Sequence, residues 1–289
     1  MAKILVTGSK GQLGNELRIV SAGDTKNVYL FTDVVELDIT DKGAVDNFFS
    51  ANEPDIVVNC AAYTAVDKAE SDRELCTAIN VDAVKNLAEA TRRGGGKMIH
   101  ISTDYVYGGN GKAPYTENAP TAPQSVYGET KLAGEKALLA INNASIIIRT
   151  AWLYSPFGKN FVKTMIALGK EREMISVVND QRGTPTYAAD LAIAIAKIIN
   201  SGKFISGIYN FSDAGECTWY EFAKEIHKVY GITGCEVVPV TTDMYPSAAK
   251  RPAYSVLNKR KIRISYGICI PDWKDSLKDC ISRIKENNI

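Results

Sequence analysis

The chain has 289 residues, of which 45% are hydrophobic and 23% are charged. This composition excludes a disordered chain and a small disulfide scaffold, and the length allows one large domain or two lobes that share a core. With 34 basic against 33 acidic residues the formal net charge is +1, so no basic excess indicates a nucleic-acid partner. No apolar run reaches the roughly 18 residues of a membrane span, and the N-terminus lacks a signal-peptide cleavage pattern.

The first half of the sequence alternates strands and helices. Continuous apolar segments predict strands over residues 3–7, 28–32, 55–61, 97–102 and 145–150. The spacing of apolar residues predicts helices over residues 12–22, 45–50, 73–93 and 127–141. Strands that are apolar throughout and alternate with helices are typical of a parallel sheet covered on both faces. We therefore predict an α/β fold of the Rossmann type, with a doubly wound parallel sheet.

After Trp152 the alternation loosens, and prolines cluster over residues 114–123 and again over residues 239–271. The pattern predicts helices over residues 161–169, 188–200, 219–230 and 272–286. It predicts short strands over residues 175–178, 208–211 and 236–240. We predict a Rossmann domain over residues 1–151 and a smaller C-terminal α/β lobe over residues 152–289. A return of the segment near residues 184–202 to the first domain stays open.

Metal and disulfide chemistry have little support in the sequence. The six cysteines lie far apart and include no C-x-x-C pair, so we interpret them as reduced thiols of a cytoplasmic protein. The two histidines, His100 and His227, have no clustered partners, which argues against a catalytic zinc site. We assign no metal ligand.

A glycine-rich turn links the first predicted strand to the first predicted helix. Residues 8–14 read GSKGQLG, with the spacing G-x-x-G-x-x-G. Glycine lets the backbone adopt a positive φ and approach a pyrophosphate closely. The helix N-terminus offers free N–H groups to the phosphates. The turn therefore predicts a dinucleotide site of the NAD(P) type, and the residues we assign to it are Gly8, Lys10, Gly11, Gln12, Leu13 and Gly14.

The end of the second predicted strand carries an acidic residue. Asp33 lies 19 residues after Gly14, about where a carboxylate bonds the adenosine ribose in dinucleotide folds. A carboxylate there would repel a 2′-phosphate, which favours NAD. Lys10 could meet a 2′-phosphate, so NADP stays open. Asp38 and Ile39 are candidates for the adenine pocket, with a helix cap as the alternative role of Asp38.

A Y-x-x-x-K pattern places Tyr127 and Lys131 on one face of a predicted helix. A phenol with its ordinary pKa of about 10 is a poor acid–base group at neutral pH, and we expect the lysine ammonium to lower the pKa of Tyr127. Thr103, at a strand end 24 residues before Tyr127, could polarise a carbonyl group. We predict that Tyr127 protonates a substrate carbonyl as hydride reaches its carbon, with Thr103 and Lys131 assisting.

Further motifs follow in order along the chain. They are AAYTAVDKAE at 61–70, STDYVYG at 102–108, RTAWLY at 149–154 and DQRGTPT at 180–186. Arg251-Pro252, followed by Ser255 and Leu257, completes the pattern. Together with the glycine turn and the Y-x-x-x-K pair, these motifs resemble the extended short-chain dehydrogenase/reductases over essentially the whole chain.

The resemblance implies that NADPH or NADH reduces the C4 ketone of a dTDP-6-deoxy-4-hexulose to dTDP-L-rhamnose. It implies that Ala61, Ala62 and Thr64 line the cofactor. The residues it places near the dTDP-sugar are Val66, Asp67, Thr103, Asp104, Tyr105, Trp152, Asn160, Arg182 and Arg251. Some members bind magnesium through acidic residues at a dimer interface, so magnesium and a homodimer stay open, without assigned ligands.

Two other functions use the same scaffold. Related dehydratases have Thr-Asp-Glu at the strand end, whereas Thr103 and Asp104 are followed here by Tyr105, which lacks the carboxylate that elimination needs. An epimerase recycles its cofactor, so net consumption of NAD(P)H separates it from a reductase. A cofactor-binding regulatory subunit need not keep the Tyr–Lys–Thr set, which is complete here.

Overall fold

The computed structural model describes residues 1–286. The strands are β1 Lys3–Thr7, β2 Val28–Phe31, β3 Ile56–Asn59, β4 Lys97–Thr103, β5 Ser145–Thr150, β6 Leu153–Tyr154, β7 Met174–Val178, β8 Arg182–Gly183, β9 Thr186–Tyr187, β10 Gly207–Asn210, β11 Cys217–Thr218 and β12 Glu236–Val240. The helices are α1 Gln12–Ser21, α2 Lys42–Asn52, α3 Val66–Ala69, α4 Arg73–Thr77, α5 Ala83–Arg93, α6 Val126–Ile141, α7 Phe161–Glu171, α8 Ala188–Asn200, α9 Trp219–Tyr230, α10 Arg260–Tyr266 and α11 Trp273–Glu286. The last three residues of the predicted second lobe, 287–289, lie outside the described residues.

Within residues 1–286, a six-stranded sheet runs in the order β10-β5-β4-β3-β1-β2. Its neighbouring strands are all parallel. The chain goes outward from β1 to β2 and then returns to the other side of β1 for β3, β4 and β5. Ligands of doubly wound folds bind at the carboxyl ends of the strands near such a reversal. The predicted doubly wound sheet of the Rossmann type is confirmed.

Both faces of the sheet are buried under helices. Because successive strand residues point to opposite faces, Ile4 and Val6 join a core with Leu17 of α1, while Leu5 joins a second core with Leu87 of α5. This burial on both sides explains why the strands read as continuous apolar segments rather than as alternating ones. None of the helices within residues 1–286 has the length and apolarity needed to cross a membrane.

The second half of the chain forms a separate hydrophobic core and also adds a helix and a strand to the six-stranded sheet. Helices α7, α9 and α11 pack with β7 and β12 around a separate core that includes Ile175, Phe222 and Leu277. In contrast, α8 packs into the core that covers one face of the sheet, and β10 pairs with β5 at the sheet edge. The division of the chain at residue 151 stays a prediction.

The predicted helix over residues 73–93 is interrupted by a π-helical turn, Ala78–Asp82. Asn80 in this turn accepts a bond from the Tyr63 N–H at 2.9 Å and donates to the Tyr63 carbonyl at 3.2 Å. Gly134 of α6 packs against the same turn, where a Cβ would lie 2.2 Å from the Asn80 carbonyl oxygen. The helix therefore widens where the segment before α3 and helix α6 both meet it.

A buried ion pair joins β5 to α6. Arg149 and Glu135 are almost fully buried, and the guanidinium donates to both carboxylate oxygens, at 2.9 and 2.6 Å. Arg149 also donates to the Tyr107 hydroxyl at 2.9 Å, and the Ser102 hydroxyl of β4 donates to Glu135. This network fixes α6 against the sheet.

Candidate active site

A cavity of about 1050 Å³ lies at the carboxyl ends of the parallel strands and extends to residues 150–161 and to Trp219 and Phe222 of α9. Most of the residues predicted from the sequence line it. They are Gly8, Lys10, Gly11, Gln12, Leu13, Gly14, Asp33, Asp38, Ile39, Ala61, Ala62, Thr64, Val66, Thr103, Asp104, Tyr105, Tyr127, Lys131, Trp152 and Asn160. The fold thus gathers the glycine turn and the Y-x-x-x-K pair at one opening.

The glycine turn needs glycine for steric reasons. Gly8 has a φ of 63°, and a Cβ there would lie 2.7 Å from the Ala61 backbone nitrogen. A Cβ on Gly14 would lie 2.5 Å from the Gly8 carbonyl oxygen. Helix α1 begins just after Gly11, which has no side chain to cap it. The turn therefore fits a phosphate group that approaches the backbone closely.

The rim of the cavity carries three charged side chains near the turn. The Asp33 carboxylate accepts the backbone N–H groups of Lys10 and Val34, each at 2.9 Å. The Lys10 ammonium lies 3.0 Å from Glu36. Asp38 accepts the Thr40 N–H and hydroxyl at 2.9 and 2.7 Å, which is a local turn contact. Asp33 thus stands beside the turn, and an acidic partner holds Lys10.

Helix α6 carries the two residues of the Y-x-x-x-K pair into the cavity wall. Ser125 caps this helix by accepting the Gly128 N–H at 3.2 Å, which places Tyr127 in the first turn and Lys131 one turn later. A Cβ on Gly128 would lie 2.4 Å from the Tyr105 carbonyl oxygen. Glycine at this position allows the helix to approach the segment after β4.

Thr103 lies at the end of β4 beside the pair. Its hydroxyl donates to Asp104 Oδ1 at 3.0 Å and accepts the Tyr105 N–H at 3.2 Å. Burial raises the pKa of Asp104 to about 6, while hydrogen bonds from the Ser255 and Thr103 hydroxyls act in the opposite direction. Lys131 donates to the Ile101 carbonyl at 2.7 Å.

The predicted lowering of the pKa of Tyr127 is wrong. Burial raises the pKa of this phenol above its ordinary value, and the Asp104 carboxylate adds to the increase; the Thr103 hydroxyl opposes both. Loss of solvation disfavours the charged phenolate and therefore raises the pKa of the phenol. Tyr127 is therefore a neutral phenol at neutral pH, which is the form that can donate a proton.

Aromatic side chains from the chain after residue 151 form part of the cavity lining. Trp152 has a φ of 48°, a left-handed conformation that is strained for a bulky residue. Its ring stacks on Trp219 with 3.5 Å between the centroids, and a Cβ on Gly183 would lie 2.6 Å from it. Trp219 and Phe161 also line the cavity. Sequence reasoning missed both, because an aromatic residue at a helix start usually indicates core packing.

Two of the remaining predicted substrate residues, Asp67 and Arg251, form an ion pair and lie outside the lining of the large cavity. Arg251 donates to both oxygens of Asp67, at 3.0 and 2.6 Å, and lines a second cavity of about 290 Å³ with Tyr105. Asn160 caps α7 by accepting the Lys163 N–H at 3.1 Å.

Arg182, on β8, has a partly exposed side chain. It is 3.5 Å from Glu216 and 3.9 Å from Glu221, and it lines neither of the two cavities described within residues 1–286. In the same part of the chain, no group of three or more His, Cys, Asp or Glu side chains is placed to hold a metal ion. No magnesium ligand is assigned.

Residues 2–286 match the family model described as RmlD substrate binding domain. A dTDP-4-dehydrorhamnose reductase from Aggregatibacter actinomycetemcomitans is 41% identical over 288 residues, covering 96% of this chain and 98% of that protein. The enzyme of that name from Escherichia coli K12 is 40% identical over 293 residues, covering 97% of each.

Solved structures agree with these relatives. A crystal structure of a dTDP-4-dehydrorhamnose reductase from Clostridium acetobutylicum has a TM-score of 0.94 at 45% identity, covering 98% of this chain and 99% of that one. The Bacillus anthracis enzyme, in complex with NADP, has a TM-score of 0.93 at 40% identity and the same coverage. This chain therefore belongs to the RmlD family of dTDP-4-dehydrorhamnose reductases.

Proposed function

We propose that this chain reduces the C4 ketone of dTDP-4-dehydrorhamnose to dTDP-L-rhamnose, with NADPH or NADH as the hydride donor. The observation that carries this proposal is the buried phenol of Tyr127, which lines the same cavity as the glycine turn, Thr103 and Lys131. Family membership supports the identity of the substrate, and the NADP complex of the Bacillus anthracis relative supports the coenzyme class.

The cavity fits a nicotinamide coenzyme. The backbone of residues 8–14 would hold the pyrophosphate, because the positions of Gly8 and Gly14 leave no room for a Cβ. Ala61, Ala62 and Thr64 would line the bound dinucleotide farther into the cavity. When bound in its reduced form, the coenzyme supplies the hydride that the ketone carbon accepts.

Tyr127 and Thr103 would act on the ketone oxygen. Tyr127 donates its phenolic proton to that oxygen as the carbon is reduced, which leaves a phenolate. The Thr103 hydroxyl polarises the same carbonyl group. Tyr105, which follows Asp104, packs edge-on against Tyr127 with 5.4 Å between ring centroids. It offers no carboxylate for elimination, which favours reduction over dehydration.

The substrate would lie between the phenol and the second lobe. The stacked rings of Trp152 and Trp219 offer an apolar surface to a deoxysugar, with its methyl group. Lys250 and Arg251 line the neighbouring cavity beside Tyr105, and their positive charge suits a diphosphate. We propose that the nucleotide end of the substrate points towards this second cavity.

Net oxidation of the coenzyme tests the proposed function. The purified chain is mixed with dTDP-4-dehydrorhamnose, made in place by coupling enzymes, and with NADPH or NADH. We expect coenzyme oxidation in a fixed ratio to the dTDP-L-rhamnose formed. Tight coenzyme binding without net oxidation would instead indicate an epimerase or a regulatory subunit.

Replacing Asp33 by alanine should shift the coenzyme preference towards NADPH. Removing a carboxylate that repels the 2′-phosphate should raise the NADPH/NADH ratio of kcat/KM roughly tenfold, which corresponds to about 1.4 kcal/mol. Steady-state kinetics with both coenzymes measures the ratio. Asp275→Ala, which removes an exposed carboxylate of α11 paired with Lys278, is the control and should leave the ratio unchanged. An unchanged ratio in Asp33→Ala would remove Asp33 from the ribose site.

The cytoplasmic location stays a prediction, and the oligomeric state and magnesium binding stay open. All six cysteines are free thiols, which agrees with the proposed cytoplasmic location but does not test it. A homodimer and a bound magnesium ion are equally untested.

A further inference from the structure

A line of buried polar side chains crosses the sheet and ends at Lys131. Thr7 of β1 donates its hydroxyl to Asn59 Oδ1 on β3 at 2.7 Å. The Asn59 amide nitrogen lies 3.1 Å from Nδ1 of His100 on β4. His100 Nε2 lies 3.4 Å from Lys131 Nζ. All four residues are at most 1% exposed, and the proposed reaction so far uses only the lysine.

The orientation of the Asn59 amide follows from its partners. Its Oδ1 accepts the Ala61 backbone N–H at 3.1 Å as well as the Thr7 hydroxyl. A backbone N–H can only donate, so this side of the amide must be oxygen. The amide nitrogen therefore faces His100 and donates to Nδ1. A neutral imidazole whose Nδ1 accepts carries its proton on Nε2.

In this tautomer, two hydrogen-bond donors face each other, the Nε2–H of His100 and the ammonium of Lys131. The Nε2–H of His100 points at Lys131, and an ammonium also only donates. The short hydrogen bond of Lys131 goes elsewhere, to the Ile101 carbonyl at 2.7 Å, while the contact with His100 is long at 3.4 Å. A neutral amine, in contrast, has a lone pair that can accept the Nε2–H.

We propose that His100 is a positioning residue for Lys131: Asn59 holds it as the Nε2–H tautomer, and its donor favours the neutral amine over the ammonium. The tautomer itself does not depend on which reaction the chain catalyses. Its catalytic consequence rests on the proposed function.

The charged groups around Lys131 do not hold it firmly as an ammonium. Glu135, one turn along α6, favours the ammonium, but its carboxylate is shared with Arg149 of β5 at 2.6 Å. The other nearby groups are Tyr127 on the same helix and two thiols, Cys60 after β3 and Cys76 on α4.

These neighbours add little negative charge. Burial raises the pKa of Cys60 to about 12, so its thiol is neutral, and Tyr127 is neutral as well. The Cys76 thiol lies 3.2 Å from the Thr130 hydroxyl. Burial lowers the pKa of Lys131 to about 8 and lowers that of His100 well below its ordinary value. Both directions agree with a neutral imidazole beside a readily deprotonated lysine.

A lysine in this state can return the proton that the reaction consumes. Tyr127 gives its phenolic proton to the ketone oxygen and becomes a phenolate. The Lys131 ammonium then gives a proton back towards that phenolate, and the resulting amine accepts the His100 Nε2–H. A proton taken up from the solvent then restores the ammonium, so that each ketone reduced consumes one hydride and one solvent proton. A donor whose pKa lies close to the working pH performs such a transfer more readily than an unperturbed lysine.

Nitrogen NMR of the histidines tests the tautomer directly. The whole chain, labelled with 15N-histidine, gives two sets of imidazole nitrogen signals, one from each histidine. The set that disappears in His227→Gln belongs to His227, and the other belongs to His100. We expect His100 to be protonated at Nε2 and not at Nδ1, without titration between about pH 5 and 9. Protonation at Nδ1, or titration with a pKa of about 6.5, would overturn the proposal. This result does not depend on the substrate.

Kinetics tests the consequence for Lys131. In His100→Gln, the glutamine oxygen can face the ammonium, so the alkaline limb of the kcat profile should move up by about one pH unit. A loss of kcat at every pH with an unmoved limb would reduce His100 to a structural role and overturn the proposal. His227→Gln, whose Nε2 bonds the Met165 carbonyl at 3.0 Å in the second lobe, should leave the limb in place.

The two measurements also separate the possible failures. Absence of ketone reduction in the unmodified chain, with the Nε2–H tautomer present, would contradict the proposed function and leave the tautomer intact. Should His100→Gln fail to fold, the NMR experiment on the unmodified chain still decides the tautomer.

Discussion

Replacement of Tyr127 by phenylalanine should lower kcat for ketone reduction by about 10²–10⁴-fold, the contribution expected of a positioned general acid. The change removes the phenolic hydroxyl alone. The ring keeps its place, because Tyr127 is buried and packs edge-on against Tyr105 with 5.4 Å between centroids. Coenzyme binding should therefore remain close to that of the unmodified chain, since Lys131 and the turn over residues 8–14 are untouched.

Two measurements on Tyr127→Phe check this expectation. Steady-state kinetics with dTDP-4-dehydrorhamnose gives kcat, and fluorescence titration with NADPH gives the coenzyme Kd. Tyr220→Phe is the matched control, because Tyr220 on α9 lines neither of the two cavities described within residues 1–286. Full turnover by Tyr127→Phe would mean that another group donates the proton. A large loss of coenzyme affinity would mean that the hydroxyl serves binding instead.

Replacement of Arg149 by methionine should destabilise the fold by about 3–5 kcal/mol, because it leaves a buried carboxylate without its partner. Glu135 accepts two hydrogen bonds from Arg149, at 2.9 and 2.6 Å, and both side chains are almost fully buried. Methionine occupies similar space but cannot neutralise that charge. Because Glu135 lies one turn after Lys131 on α6, we also expect kcat to fall.

Denaturant and thermal unfolding measure the effect of Arg149→Met. Lys278→Ala, which breaks an exposed pair with Asp275, is the control and should leave the Tm nearly unchanged. The double variant Arg149→Met with Glu135→Leu should be more stable than Arg149→Met, since no uncompensated charge remains. If the Tm of Arg149→Met matched that of the control, the ion pair would contribute much less to the free energy of unfolding than we expect.

Features that depend on near neighbours in the chain were predictable. The bounds of β1, β5, β12, α8 and α9 agree with those read from apolar spacing, because periodicity reports directly which face of an element is buried. The glycine turn and the Y-x-x-x-K pair are also local, since one turn or one helical repeat sets their geometry. The order of strands and helices then indicated a parallel sheet covered on both faces.

The shortest helix and strands were not predicted from the sequence. Helix α3 has four residues, and strands β6, β8, β9 and β11 have two each. Such segments span only about one period of a hydrophobic pattern, so no repeat can be recognised in them, and contacts from elsewhere in the chain define them. The π-helical turn around Asn80 belongs to the same group, because its cause is the close packing of α6 against it.

By itself, the sequence determined the fold class, and it predicted the glycine turn between β1 and α1 and the Tyr–Lys–Thr set as parts of one site. The tertiary structure alone decided the partners of distant side chains. It pairs Asp67 with Arg251, stacks Trp152 on Trp219 and aligns His100 with Lys131. It also decided that the pKa of Tyr127 rises, because desolvation depends on every element that covers the phenol. The spacing of neighbouring residues does not show which residues, far away in the sequence, exclude water from a site.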